Sequence, residues 1–227
     1  MPMSFQGVHF PQDILRMWVR WYGAYPVSYR HVEARRQERG VSVDHATINR
    51  WVLTYSPPLA EAFHRRKRPF GRSWRMDEPY IRVTGEWRSL SRAVDKSGQT
   101  IDVLLTEPRD TEAARRFLTQ ALHRHGVPDQ STIDGSEANA AASKRSTEAH
   151  GTAIIIRQIT SLNTMVAQDQ RAVKRSIRPL LGVKSCAAAQ ATLVGIERLH
   201  MLKKNQQVVE EGVEGLTPAE QFYALAA

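Results

Sequence analysis

The chain has 227 residues, of which 41% are hydrophobic and 24% are charged, a composition typical of one ordinary globular domain with a smaller second one. It contains no run of 18 or more apolar residues and no signal-peptide pattern at its amino terminus, which argues against a membrane protein or a secreted one. The single cysteine, Cys186, excludes an intrachain disulfide and a cysteine zinc site, so we expect a cytoplasmic protein.

The net charge of +9 is unevenly distributed along the chain. Residues 1–75 carry 13 Lys and Arg against 5 Asp and Glu, and residues 136–205 carry 11 against 4, whereas residues 76–135 carry 8 against 10. Basic segments on both sides of an acidic one suit a protein that contacts phosphates at its edges and holds carboxylates in a central site. Charge alone leaves open an unevenly charged solvated surface as the alternative.

Three short helices are predicted in the amino-terminal third. Apolar residues recur at helical spacing over residues 11–25, and a second helix is expected over 29–39. A third helix is expected to begin after Asp44, which can cap it, and to end at Pro57 and Pro58.

A glycine turn at Gly40, before the last of these helices, indicates a helix-turn-helix domain over residues 1–58. In that motif the third helix enters the major groove of DNA, where Asn and Arg suit bidentate contacts with adenine and guanine. A three-helix packing unit with a polar outer face is the alternative. The candidate DNA-binding residues on the exposed face of the third helix are His45, Thr47, Asn49 and Arg50.

The periodicity changes after a predicted basic linker over residues 59–73. An α/β domain is predicted over 74–205, followed by a tail over 206–227 with a short helix. The order of its elements is that of a ribonuclease-H-like mixed sheet with flanking helices. Strands are predicted over 74–83, 86–94, 100–105, 131–133 and 153–156, and helices over 111–125, 163–178 and 184–204.

Such a sheet places Asp77, in its first strand, beside Asp134 at the end of its fourth. Two carboxylates on neighbouring strands can hold divalent cations, and two metal ions stabilise the attacking and leaving oxygens of phosphoryl transfer. An isolated Asp is more often a cap or a surface group. Glu78 is expected to point to the other face of its strand, and Asp95 to cap a turn.

Six segments along nearly the whole chain carry motifs of a known family. They are residues 28–30 (SYR), 43–51 (VDHATINRW), 74–80 (WRMDEPY), 132–139 (TIDGSEAN), 174–185 (KRSIRPLLGVKS) and 216–223 (LTPAEQFY). In these segments the chain resembles the DDE transposases of the IS-six family of bacterial insertion sequences. The resemblance implies a nucleoid-associated enzyme that binds terminal inverted repeats as a dimer or larger assembly. It also implies cleavage and joining of double-stranded DNA by two Mg²⁺ ions on an Asp, Asp, Glu triad, whose first two members match Asp77 and Asp134.

The third carboxylate of that triad is missing. The family pattern reads Leu-Asn-Asn, two apolar residues and Glu-Gln-Asp-His-Arg-Ala, whereas residues 162–172 read LNTMVAQDQRA and place Ala167 where the Glu belongs. Asp169 is no substitute, because two residues along a helix rotate a side chain by about 200°. Losing this ligand costs about 4 kcal/mol of transition-state stabilisation, or about 10³-fold in rate. We therefore expect impaired catalysis, and a catalytically inactive DNA-binding relative that regulates transposition is the alternative.

Two basic clusters complete the candidate sites. The helix predicted over 163–178 has a basic face that is expected to contact the DNA backbone, an ordinary solvated helix being the alternative. The run His123-Arg124-His125 is expected to be a polar helix end and not a metal site. The members of the basic face are Arg171, Lys174, Arg175 and Arg178.

Overall fold

A computed structural model describes residues 11–25, 43–83, 85–106, 111–133, 154–159, 186–208 and 215–226. The helices predicted over 29–39 and 163–178 lie outside these ranges. The described elements are α1 (Gln12–Ala24), α2 (His45–Arg65), β1 (Ser73–Asp77), β2 (Tyr80–Val83), β3 (Glu86–Asp95), β4 (Thr100–Thr106), α3 (Thr111–His125), β5 (Gln130–Ile133), β6 (Ile155–Gln158), α4 (Cys186–Lys203) and α5 (Pro218–Ala226). They fall into two compact units, a helical unit with α1, α2, α4 and α5, and a sheet unit with the remaining elements.

The helical unit is built on the apolar face of α1 and on α4. Leu15, Trp18 and Tyr22 are almost completely buried on one face of α1, as their helical spacing predicts. The side chains of Met201 and Leu202 at the end of α4 are also buried within this chain. Within the described ranges, no helix is long and apolar enough to cross a membrane.

Helix α4 corresponds to the helix predicted over 184–204, but it belongs to the helical unit and not to the sheet unit. Buried side chains occur on most sides of α4, including Leu193, Ile196, Leu199 and Met201. A helix that is apolar nearly all round requires neighbours on several sides. Helices α1, α2 and α5 supply these neighbours, and the order of elements along the chain does not reveal this grouping.

Helix α2 continues through Pro57 and Pro58 to Arg65, so the prediction that these prolines end it is wrong. Both prolines are exposed, while the buried face continues past them with Leu59 and Phe63. An internal proline costs a helix about 3 kcal/mol. Burial of a Leu or Phe side chain contributes about 1.5–3 kcal/mol, which offsets that cost. The first seven residues of the predicted linker are therefore helical.

The sheet unit contains a mixed sheet, which confirms the predicted α/β class. Strand β3 pairs antiparallel with β1, β2 and β4, whereas β5 pairs parallel with both β1 and β6. One face of the sheet packs against α3. The core on this face contains Trp74, Met76, Ala93, Ile101, Phe117, Leu118, Ala121, Leu122, Ile133 and Ile154.

Strands β1 and β2 are two parts of the single strand predicted over 74–83. They pair with β3 in one continuous register, in which Asp77 lies opposite Arg92 and Tyr80 lies opposite Ser89. Pro79 has no N–H group and interrupts the strand, although its carbonyl oxygen still accepts a hydrogen bond from the Leu90 N–H at 2.9 Å. The interruption therefore leaves the hairpin register unchanged.

Candidate functional site

Asp77 is the last residue of β1, at the carboxyl end of a strand pair that runs in parallel. The pairing of β1 with β5 places Arg75 opposite Thr132, and Ile133 ends β5. The Asp77 side chain is half-buried, and its Oδ1 accepts a hydrogen bond from the Glu78 N–H at 2.8 Å. The structure therefore places this predicted site residue at a strand end, where functional groups of neighbouring parallel strands converge.

Asp77 shares its face of the sheet with a buried cation. Trp74 and Met76 point into the core, so Arg75 and Asp77 lie on the opposite face. Arg92, directly opposite Asp77 on β3, is fully buried and donates a hydrogen bond from Nη2 to Thr100 Oγ1 at 2.9 Å. The Arg92 guanidinium therefore lies on the same face of the sheet as the Asp77 carboxylate.

Glu78 and Asp95, the two predicted bystanders, make structural hydrogen bonds. Glu78 is buried and its Oε1 accepts a hydrogen bond from Ser91 Oγ at 3.2 Å, on the side of the sheet that faces the core. Asp95 Oδ1 accepts the N–H groups of Ser97 and Gln99 at 2.9 and 2.8 Å, and Oδ2 accepts the Gly71 N–H at 2.8 Å. The prediction that Asp95 caps a turn is confirmed.

The other predicted residues of this site lie outside the described part of the chain. These are Asp134, Ala167 and the basic face of the helix predicted over 163–178. Asp134 directly follows the end of β5 in the sequence. Among the described residues, no group of three or more His, Cys, Asp or Glu side chains is arranged to hold a metal ion. The pairing of Asp77 with Asp134 stays a prediction.

The candidate base-reading face lies in the first turns of α2. Asp44 caps this helix as predicted, because its carboxylate accepts hydrogen bonds from the Thr47 N–H at 2.8 Å and the Thr47 hydroxyl at 3.0 Å. These bonds hold the pKa of Asp44 below its ordinary value of 3.8. His45 and Arg50 are exposed and Asn49 is partly exposed, whereas the Thr47 hydroxyl already takes part in the cap.

Sequence reasoning missed a buried carboxylate between β4 and α3. Asp102 is 1% exposed, and its Oδ2 accepts a hydrogen bond from Gln120 Nε2 at 3.0 Å. Arg124 Nη1 lies 3.4 Å from both carboxylate oxygens, and His125 Nε2 lies 3.8 Å from Oδ2. The sequence offered one signal for this carboxylate, a single Asp within an otherwise apolar strand that is followed by a basic helix.

The predicted polar helix end at His123, Arg124 and His125 is only partly correct. His123 and Arg124 are exposed, whereas the His125 side chain is 6% exposed. The His125 ring packs edge-on against Phe70, with ring centroids 5.3 Å apart. His125 is therefore part of the packing around the buried Asp102 carboxylate.

Comparison of the sequence with known families and proteins gives consistent matches. A family model for the DDE domain, of the IS240 transposase type, matches residues 71–206. The chain is 31% identical to the transposase for insertion sequence-like element IS431mec of Staphylococcus aureus strain Mu50, over 98% of each chain. It is 30% identical to the transposase for insertion sequence element IS257 in transposon Tn4003 of Staphylococcus aureus, again over 98% of each.

The structure is also similar to solved retroviral integrase cores. The HTLV-2 integrase catalytic core domain in complex with magnesium matches with a TM-score of 0.44 and 14% identity, over 69% of this chain and 99% of that one. The catalytic core domain of BIV integrase matches with a TM-score of 0.44 and 17% identity, over 68% of this chain and 95% of that one.

Proposed function

Because the chain belongs to the IS-six family of DDE insertion-sequence transposases, we propose that it binds the terminal inverted repeats of its element and cleaves DNA with severely impaired efficiency. The observation that carries this proposal is the position of Asp77 at the carboxyl end of β1, beside the parallel strand β5. Two residues beyond the observed pair of Arg75 and Thr132, the two strands would continue with Asp77 and Asp134.

We propose Asp77 and Asp134 as the two carboxylates of the site. Neighbouring strands are about 4.8 Å apart, which suits two side chains that share a hard divalent cation such as Mg²⁺. When bound, the metal supplies charge neutralisation at the scissile phosphate and lowers the pKa of attacking water. The protein's own contribution would be to hold Asp77 at the end of β1, on the same face of the sheet as Arg92, with Asp134 directly after β5 in the sequence.

Ala167 is the reason for the proposed loss of activity. A methyl side chain cannot ligate a metal ion, so a site built from Asp77 and Asp134 has one ligand and one negative charge fewer than the triad of the family. We expect cleavage about 10³-fold slower than that of an intact triad, which corresponds to about 4 kcal/mol.

DNA binding does not require the missing carboxylate. We propose that His45, Asn49 and Arg50 in α2 contact base edges, because their side chains are exposed or partly exposed on one helix. Arg171, Lys174, Arg175 and Arg178 would contact the phosphate backbone. A homodimer is proposed because two element ends must be brought together. A DNA-binding regulator of transposition without cleavage is the second candidate, and Ala167 favours it.

The experiment compares binding and cleavage of the same labelled terminal-repeat DNA by the full-length chain, with Mg²⁺ or Mn²⁺. We expect a bandshift, with nicking about 10³-fold slower than in an Ala167→Glu variant. Ala167→Gln is the matched control, because it restores size without the charge. Nicking in either background must disappear in Asp77→Ala.

Three outcomes would contradict parts of this proposal. Absence of any bandshift would refute DNA binding by the chain. Fast nicking that depends on Asp77 would show that another group replaces the third carboxylate. Activity in Ala167→Glu that persists after Asp77→Ala would show that Asp77 is not part of the site.

A further inference from the structure

Two aromatic side chains and an arginine occupy an exposed face of the hairpin formed by β2 and the first half of β3. Trp87 is 63% exposed, Tyr80 is 47% exposed, and Arg82 is also exposed. We call these three residues the hairpin face.

The strand register brings the three side chains together. Trp87 lies directly opposite Arg82, and Tyr80 lies opposite Ser89, so Trp87 and Tyr80 are diagonal neighbours on one side of the hairpin. Arg82 Nε donates a hydrogen bond to the Gly85 carbonyl oxygen at 3.0 Å, which anchors the guanidinium next to the turn. The hairpin therefore presents an indole ring, a phenol ring and a cation on one of its sides.

Packing of the sheet does not account for these aromatic residues. The apolar contacts of β2 are made by Ile81 and Val83, which are 7% and 5% exposed on the opposite side. Tyr80 is followed by the buried Ile81, Trp87 lies between the exposed Glu86 and the half-buried Arg88, and both rings are open to solvent. Exposed rings beside a guanidinium match the chemistry of a surface that binds nucleic-acid bases and phosphates.

The hairpin face lies further along the same strand line as Asp77 but on the opposite face of the sheet, because Tyr80 and Arg82 are odd numbers of residues from Asp77 in a continuous register. Asp77 and Tyr80 are three residues apart in the continuous register, which corresponds to about 10 Å, and Arg82 is about 17 Å from Asp77. Within the described residues, β2 pairs with β3 alone. A DNA strand that passes over the other edge of β2 would therefore connect the face of the sheet that carries Asp77 with the hairpin face.

We propose that the hairpin face stacks unpaired bases of a DNA strand that also reaches the Asp77 site around the edge of β2. This inference rests on the proposed function. Bases in a duplex are stacked on each other and expose only their edges in the grooves, whereas an unpaired base exposes a ring face to Trp87 or Tyr80. Arg82 supplies the charge for the adjoining phosphate. The surface therefore distinguishes single-stranded from double-stranded DNA at the element end.

The test measures fluorescence anisotropy of the full-length chain with two probes. One is a blunt terminal-repeat duplex, and the other is the same duplex with a single-stranded extension of about five nucleotides. We expect the extension to tighten binding about tenfold, and Trp87→Ala to remove this gain while changing blunt-duplex affinity less than about twofold. Trp87→Phe should retain most of the gain because a phenyl ring still stacks. An extension of abasic nucleotides should bind like the blunt duplex.

Ile155→Ala is the matched control, because Ile155 is 59% exposed in β6 of the same unit and carries no aromatic ring. It should leave both affinities unchanged. Thermal unfolding of each variant shows whether a loss of binding reflects a loss of folding. The extended probe should also quench tryptophan fluorescence in the wild type and much less in Trp87→Phe, because Trp18, Trp51 and Trp74 are buried and Trp21 is half-buried in the helical unit.

The outcomes separate this inference from the proposed function. Equal affinities for the two probes, with blunt-duplex binding intact, would overturn the stacking proposal alone. A tenfold gain that survives both Trp87→Ala and Tyr80→Ala would also overturn it. Self-association that Trp87→Ala abolishes, with no change in DNA affinity, would assign the surface to a contact between copies. Failure of the wild type to bind either probe would refute the proposed function as well.

Discussion

Adding one methyl group at Gly195 tests how closely α2 and α4 pack. A Cβ atom at this position would lie 2.6 Å from Ser56 Oγ and 3.2 Å from Ser56 Cβ, both inside ordinary van der Waals contact. The Ser56 hydroxyl can rotate away, but its Cβ is fixed to the backbone of α2. Gly195→Ala therefore forces the two helices apart by a few tenths of an ångström.

Two effects of opposite sign determine the size of this change. Replacing Gly with Ala inside a helix stabilises it by about 1 kcal/mol, whereas overpacking a core costs about 1–3 kcal/mol. Because the fixed Ser56 Cβ would lie only 3.2 Å from the added methyl group, we expect overpacking to exceed the helix propensity gain. The free energy of unfolding should fall by about 1–2 kcal/mol in Gly195→Ala.

Denaturant unfolding, followed by circular dichroism, measures the free energy of unfolding of each variant in a double-mutant cycle. Ser56→Ala removes the nearer atom, so the double variant should recover part of the loss, with a coupling energy of about 1 kcal/mol. Gly23→Ala is a comparison, because its Cβ would meet Cδ1 at the movable end of the Leu199 side chain, so this substitution should be tolerated better. An increase in stability for Gly195→Ala, with no coupling to Ser56, would refute the close packing.

Three further predictions concern Asp102, Pro58 and Asp44. Asp102→Asn removes a buried charge that accepts a hydrogen bond from Gln120, so the free energy of unfolding should fall by about 1–3 kcal/mol. Denaturant unfolding measures this change, and an unchanged midpoint would contradict it. Pro58→Ala restores an N–H group on the exposed side of α2 and should stabilise the protein by about 1 kcal/mol or more, and a lower melting temperature would contradict it. Because the pKa of Asp44 is lowered by its hydrogen bonds to Thr47, the stability from this cap is complete above pH 3.8 and is lost as the pH falls through the lower folded pKa. Asp44→Asn keeps a hydrogen-bond acceptor that does not titrate, so the difference in the free energy of unfolding between wild type and variant should diminish in acid. A difference that stays constant between pH 2 and 5 would show that the charge of Asp44 does not contribute to the cap.

Elements whose signal is local were predictable from the sequence. The alternation of Trp74 and Met76 with polar residues and the helical spacing of Phe117 and Leu122 each reflect a single element with one buried face. The end of α2 was not predictable in this way, because the local preference of two prolines is overcome by burial of side chains further along the helix. The placement of α4 depends on contacts between distant segments, which no local pattern records.

Residues of the candidate site were likewise predictable only where their signal is local in the sequence. Asp77 could be identified because it lies within a motif at the end of a strand, and the cap at Asp44 because its chemistry involves only a neighbouring turn. Asp102 could not be identified, because its partners Gln120 and Arg124 come from another element and only the packing of α3 on the sheet brings them together.

The continuity of α2 couples the orientation of its two ends. A 21-residue helix is about 31 Å long and turns by about 100° per residue, so the side chains at its beginning and end keep a fixed angle about the helix axis. The buried positions Leu59 and Phe63 hold the last turns in the helical unit. Ile48 and Trp51 are buried in the same unit and fix the direction in which His45 and Arg50 point. A one-residue insertion near Pro57 would rotate these buried positions by about 100° relative to Leu59 and Phe63, so both halves of the helix could no longer pack at once.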